Sequence, residues 1–163
     1  MSRKTTGEQL QTPLHRTLRT FIGYNIKRTY VMLRESVLEV LNPHQLRPTS
    51  FSALVIIADN SGLSQSQLAN ALEIKRSGVV LIVDELEQAE LITRDKVPGD
   101  RRSYALRATL KGMQKKQQVV DELQQREQSF FSALSTQESE LLTQLFSKLD
   151  QQVDTESQQA IHP

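Results

Sequence analysis

The sequence predicts a mainly α chain with one small β-hairpin. Three observations carry this expectation. Only 6 glycines and 5 prolines occur in 163 residues, too few for a loop-rich all-β fold. Apolar residues recur at three- and four-residue steps over most of the length, the spacing of helices with one buried face. The pattern changes around Pro98-Gly99-Asp100, a turn sequence between two short strand-like runs. The length suits one domain, or a small domain with helical extensions, and 37% hydrophobic residues supply a core.

Residues 1–12 are polar and read as a flexible N-terminus. Over residues 13–44, the stripe Leu14, Leu18, Phe21, Ile22, Ile26, Tyr30, Leu33, Val37 and Leu41 predicts one long helix, ended by Asn42-Pro43. Arg47-Pro48-Thr49 opens the next helix, with Pro in its first turn and Phe51, Leu54, Val55 and Ala58 inside. Asn60-Ser61-Gly62 stops it. Ser64 and Gln67 then have capping-box spacing, which starts a short helix through Leu72. After the link Glu73-Ile74, another helix runs from about Arg76 to Ala89, with Val79, Ile82, Val83 and Leu86 inward.

Leu91 to Val97 and Ser103 to Arg107 are the strand-like runs, with Tyr104 and Leu106 on one face. Thr109 is the N-cap of a polar helix over about 110–130, with Met113, Val119, Val120 and Leu123 inside. Ser135 and Glu138 form a second capping box. It opens a final helix with Leu141, Leu142, Leu145, Phe146 and Leu149 expected to be buried.

Cysteine is absent, which excludes disulfides, thiolate zinc sites, iron–sulfur clusters and thiol switches. His15, His44 and His162 show no metal-ligand spacing, and no Gly-rich phosphate loop, H-E-x-x-H or G-x-S-x-G occurs. An enzyme and a cofactor are therefore not expected. No apolar run reaches the ~18 residues of a membrane span, and the polar start lacks the apolar stretch of a secretory signal. The expectation is a cytoplasmic protein with no membrane partner.

The net charge is only +1, but the charges are segregated. Residues 1–74 carry a net +3, residues 75–116 a net +4, and residues 117–163 a net −6. A basic middle points to an anionic partner for that segment. The short helix, tight link and following helix there fit a helix-turn-helix, although two packed helices joined by a turn read the same way. In such a unit the start of the second helix meets base edges in the major groove. Lys75, Arg76 and Ser77 stand there, with Val80 able to meet a thymine methyl. Ser64 and Gln65, at the start of the first helix, complete that candidate surface. The hairpin tip adds Arg94, Lys96, Arg101 and Arg102, with Asp100 placed to pair with a neighbouring Arg. A basic β-tip beside a reading helix suits the flanking backbone or the narrow minor groove. The alternative is an ordinary charged turn.

Residues 45–115 resemble the winged helix-turn-helix of the MarR family of bacterial transcription regulators. The likeness rests on Gln67-Leu68-Ala69, Ser77 through Leu86-Glu87, Leu91-Ile92-x-Arg94, Asp100-Arg101-Arg102 and Leu106-x-x-Thr109-x-x-Gly112. The flanking helices extend it over nearly the whole chain. The resemblance implies a homodimer on a pseudo-palindromic double-stranded DNA operator. It implies a reading domain over 45–108, dimerisation helices over 13–44 and 109–163, and repression as the commoner outcome. Arg101 would enter the minor groove, supported by Asp100 and Arg102. Many members have Thr and Arg where Val80 and Leu81 stand here, so base contacts lean on Lys75, Arg76 and Ser77.

The physics of spacing agrees with a dimer. Two major-groove helices on one DNA face sit about 34 Å apart, more than a chain of this size spans, and pairing the terminal helices about a two-fold axis sets that pitch. Beside the stripe of the first helix lie His15, Arg16, Arg19, Tyr24, Asn25 and Arg28, with Arg47 at the start of the next. An apolar crevice holding these groups suits a small aromatic carboxylate. A dimer-interface polar network or a solvated edge reads equally well. Many MarR regulators release DNA on binding phenolic acids. Arg47-Pro48-x-x-Phe51-Ser52-Ala53-Leu54 with Asp84-Glu85-Leu86-Glu87 also resembles the subgroup controlling hydroxycinnamate and related aromatic-acid catabolism. The other readings are a winged helix that binds protein, and an activator with no small-molecule effector.

Overall fold

The computed structural model describes residues 15–97 and 100–159, without the side chains of residues 97, 100–103 and 152–159. A single 3-10 turn, Leu18–Thr20, precedes helix α1 (Ile22–Leu41). The predicted continuous helix is thus broken at Phe21, which is extended at φ −91° and ψ 125°. The cause is Asn25, whose Nδ2 donates to Arg19 O at 2.8 Å and Phe21 O at 3.1 Å. A side-chain amide that takes backbone carbonyls competes with the helical ladder. Pro43 lies in a second 3-10 turn, Asn42–His44, which closes on Gln45 in a left-handed conformation.

Helix α2 (Pro48–Asp59) begins with Pro at its first position, where no amide is needed. Strand β1 (Leu63–Ser64) then leads into α3 (Gln65–Ala71) through the predicted capping box. The Ser64 backbone N–H donates to Gln67 Oε1 at 2.9 Å, and the Gln67 backbone N–H donates to Ser64 Oγ at 3.3 Å. Helix α4 (Arg76–Gln88) follows after a turn with Glu73 at φ 53°.

Strands β2 (Ile92–Val97) and β3 (Asp100–Ala108) form the predicted hairpin, but the sheet has three strands in the order β1-β3-β2. Strand β1 is too short for any alternation to reveal it. Its Leu63 lies opposite Leu106. Pro98 and Gly99 lie outside the described residues.

Helix α5 (Leu110–Phe130) is capped by Thr109, whose Oγ accepts from the Gly112 amide at 3.0 Å. Gly112 is required there: a Cβ would stand 1.9 Å from the Leu91 carbonyl oxygen. Helix α6 (Thr136–Gln159) starts at the second predicted capping box, where Ser135 N–H donates to Glu138 Oε2 at 2.8 Å.

One core joins these elements. Leu41 of α1, Leu54 and Ile57 of α2, Leu68 of α3, Ile92 and Leu106 of the sheet and Val119 of α5 are buried. All four residues predicted inward on α4 join them. The C-terminal expectation needs correction. Leu141, Leu145, Phe146 and Leu149 are exposed within one chain, and Leu142 is only half-buried. Met113 is exposed too, while Val120 and Leu123 are half-buried. The stripes are helical, but a single chain covers them only in part: Val119 is buried and Leu123 packs on the core, while most of the α6 stripe is exposed.

Candidate nucleic-acid interface

The cap of α3 and the start of α4 converge on one surface. Ser64, Gln65 and Ser66 from the first, and Arg76, Ser77 and Val80 from the second, line a depression of about 210 Å³. The Arg76 guanidinium donates to Ser66 Oγ, which ties the two helices together at that edge. Lys75 is the extended N-cap residue of α4 and makes no side-chain cap. The first amides of α4 therefore open beside the cations Lys75 and Arg76, an arrangement that attracts phosphate.

Tyr104 of β3 forms the remaining wall of the depression. The sequence reading places it on the Leu106 face without giving it a role. The available signal was an aromatic residue two positions from a buried leucine, at the open end of the same strand face. Lys96 lies opposite Tyr104 in the β2–β3 register, so both point to one side of the sheet. Lys75 and Lys96 are exposed and have no ion-pair partner among the described residues. The side chains of Asp100, Arg101 and Arg102 lie outside the described residues, so their expected place at the wing tip is untouched.

Arg94 departs from expectation. It is not a free cation of the wing: its side chain is only 20% exposed and is engaged by Asp84 and Glu87 of α4. Its Nε lies 3.1 Å from Glu87 Oε2, at an angle too poor for a hydrogen bond. The strand position explains this, because Arg94 lies opposite buried Leu106 and so turns toward the helix. Arg47 works from the other side. It pairs with Glu85, whose second oxygen accepts from the Ser50 hydroxyl at 3.2 Å. The three carboxylates in the C-terminal half of α4 are thus held by Arg94 and Arg47, away from the cationic start of the helix.

The other effector candidates do not all meet. His15 and Tyr24 rings are 6.0 Å apart, and Arg28 stands 6.0 Å over the Tyr24 ring. Tyr24 and Arg28, with Lys27, Val31 and Met32, line a cavity of about 270 Å³. Arg16 and Arg19 are exposed beside this end of α1, and Asn25 is occupied in stitching the Phe21 break. Arg47 lies past the far end of the 20-residue helix, about 30 Å of helix away at 1.5 Å per residue. Within one chain Arg47 cannot share a crevice with the rest. Among the described residues no group of His, Asp and Glu could hold a metal ion.

These features have counterparts in known proteins. The model of the MarR family matches residues 46–104. A Thauera aromatica protein assigned to regulation of the hcr operon is 32% identical over 150 residues, covering 91% of this chain and 90% of its own. The chain belongs to the MarR family. Its structure is similar to that of the transcriptional repressor CouR bound to a 23-mer DNA duplex. There the TM-score is 0.76 and the identity 29%, over 91% of this chain and 99% of CouR. CouR from Rhodococcus jostii RHA1 bound to p-coumaroyl-CoA gives a TM-score of 0.70 and 27% identity, over 81% and 91% of the two chains. This MarR-type protein is thus a DNA-binding transcriptional regulator and not an enzyme. Among its described residues no helix is long and apolar enough to cross a membrane.

Proposed function

We propose that two copies of this chain repress from a pseudo-palindromic operator and release it when a small aromatic acid, or its thioester, binds. The observation that carries this reading is the likeness, over 91% of the chain, to a repressor seated on duplex DNA. In this reading Ser64, Gln65, Lys75, Arg76, Ser77 and Val80 meet the major groove. Lys96, Asp100, Arg101 and Arg102 serve the wing, and Tyr104 adds a contact at the groove wall. Residues 45–108 read DNA, and residues 13–44 and 109–163 pair the copies.

Two features support the pairing. Phe21 before α1, Ile22, Ile26 and Tyr30 of α1, and Leu141, Leu145, Phe146 and Leu149 of α6 are all exposed in one chain, a load of apolar surface that marks an interface. Arg16, Arg19, Lys27, Arg28 and Arg34 have no ion-pair partner among the described residues, while α6 carries Glu138, Glu140 and Asp150. Opposite charge on the two outer faces favours their meeting across a two-fold axis. The ligand-bound CouR neighbour supports an aromatic effector. The Tyr24–Arg28 cavity, flanked by His15, Arg16, Arg19 and Asn25, is one place to receive it.

Gel retardation of fragments from the host chromosome tests the whole reading. Retardation is expected at low salt, and it should fall by orders of magnitude between 50 and 200 mM salt if about six or more phosphates are neutralised. Arg101→Ala should weaken it across many sequences. Adding p-coumarate or p-coumaroyl-CoA should restore free DNA if the effector belongs to that class. Blank gels on every fragment sink the regulator reading, and indifference to both compounds removes the effector from it.

A further inference from the structure

We propose that a cavity behind the reading helix is a second ligand site, built for an organic carboxylate with an apolar body. It measures about 540 Å³ and lies between the turn after α1, the C-terminal half of α4 and the first turns of α5. Leu46, Leu86 and Leu91 back it from the buried core, and Pro43 and Ala89 supply its exposed apolar lining. Its rim carries Lys111 and Lys115 from α5.

Counting donors shows what the rim lacks. An ammonium group has three N–H donors and no acceptor. Lys115 spends one on His44 Nδ1 at 3.3 Å. Lys111 spends two, on Ala89 O at 2.8 Å and on Glu90 Oε2 at 3.1 Å. Three N–H groups on two neighbouring lysines therefore have no acceptor among the described residues. The one carboxylate in the lining, Glu85, faces the other way in its bonding, because Arg47 and the Ser50 hydroxyl hold its two oxygens.

The lysines are also placed in advance. The His44 side chain is 8% exposed, and its Nε2 lies 2.9 Å from Glu122 Oε2. Lysine can only donate, so Nδ1 accepts and Nε2 carries the proton toward Glu122. That hydrogen bond holds the Glu122 carboxyl below the usual glutamate range, with His44 as its main cause. A nine-tenths buried ring, fixed at both nitrogens, thus anchors Lys115 at the rim. A carboxylate entering there finds charge-assisted donors already positioned, and its apolar body lies against Pro43 and Ala89. This site is separate from the Tyr24–Arg28 cavity at the opposite end of α1. Because α4 supplies one wall, occupancy bears on the seating of the reading helix. Only that consequence rests on the regulator reading; binding itself does not.

Calorimetry of the full-length protein without DNA tests the site, with trans-cinnamate as the probe. Cinnamate is expected to bind, and the uncharged trans-cinnamamide to bind at least tenfold more weakly. Lys115→Met should weaken cinnamate at least tenfold. Gln88→Trp, at an exposed lining position, should block it while leaving the melting temperature near that of the parent. Arg28→Met removes only whatever share of binding falls in the Tyr24–Arg28 cavity, so the losses from Lys115→Met and Gln88→Trp should persist in its background. Absence of cinnamate binding overturns the proposal. So does an unchanged affinity in both Lys115→Met and Gln88→Trp, or a loss confined to Arg28→Met. If cinnamate binds as expected but no chromosomal fragment is retarded, the ligand site stands and the regulator reading falls.

Discussion

At Gly112 there is no room for a side chain. The helix starts so close to β2 that an added methyl would collide with the Leu91 carbonyl, a backbone atom that cannot rotate away. Gly112→Ala is expected to cost about 3 kcal/mol, at the upper end of overpacking effects. Urea denaturation measures this, and a variant as stable as the parent would show that the seam opens freely. Arg94 makes a different prediction. With Asp84 and Glu87 left unpaired, Arg94→Met should lose about 2 kcal/mol, between the values for exposed and buried pairs. It should leave the salt dependence of DNA binding alone, whereas Lys96→Met should reduce that slope by about one and spare stability. Equal changes in slope for the two variants would return Arg94 to the DNA surface.

Among the elements, α6 has a start that responds to acid. The Ser135 backbone N–H, and then its hydroxyl, hold the Glu138 carboxyl below the ordinary glutamate value. A carboxyl lowered by folding stabilises the fold fully above its unfolded value of about 4.3, and that contribution disappears as pH falls through the lower folded value. The melting temperature should therefore separate the parent from Glu138→Gln most at pH 6 and least near pH 3. A gap that is constant with pH would mean that the carboxylate does not cap the helix.

Both capping boxes, the α4 core face and the hairpin were legible because each depends on a few adjacent residues. The Phe21 break was not, since the stripe continues through it and only the Asn25 bonds reveal it. Strand β1 was hidden because its pairing is set by Leu106, over forty residues away. For the site, the structure gathers Ser64 and Gln65 with Arg76, Ser77 and Val80 of α4 around one depression. Sequence reading misplaced Arg94 because charge alone does not say where along a strand a cation clears the helix: Arg94 and Lys96 share one face, but Arg94 meets Asp84 and Glu87 of α4.

For the molecule as a whole, exposed apolar stripes on α1 and α6 are the largest unsatisfied feature of a lone chain. Leu145→Lys places a charge in that stripe and should convert dimers into single copies at micromolar concentration, seen by sedimentation. Operator affinity should fall with it, because two linked heads bind far more tightly than one. Undiminished dimers would move the interface elsewhere.

The tight seat of Gly112 on Leu91 has a mechanical side. From that seat α5 (Leu110–Phe130) runs on to Phe130, about 27 Å at 1.5 Å per residue. A rod pinned so near one end is a lever with its fulcrum on the sheet. A swing of about 5° carries the far tip by about 2.4 Å while the pinned end barely moves, by the same helical rise. Large excursions at the tip reach the sheet geared down, and slight shifts at the sheet are magnified outward.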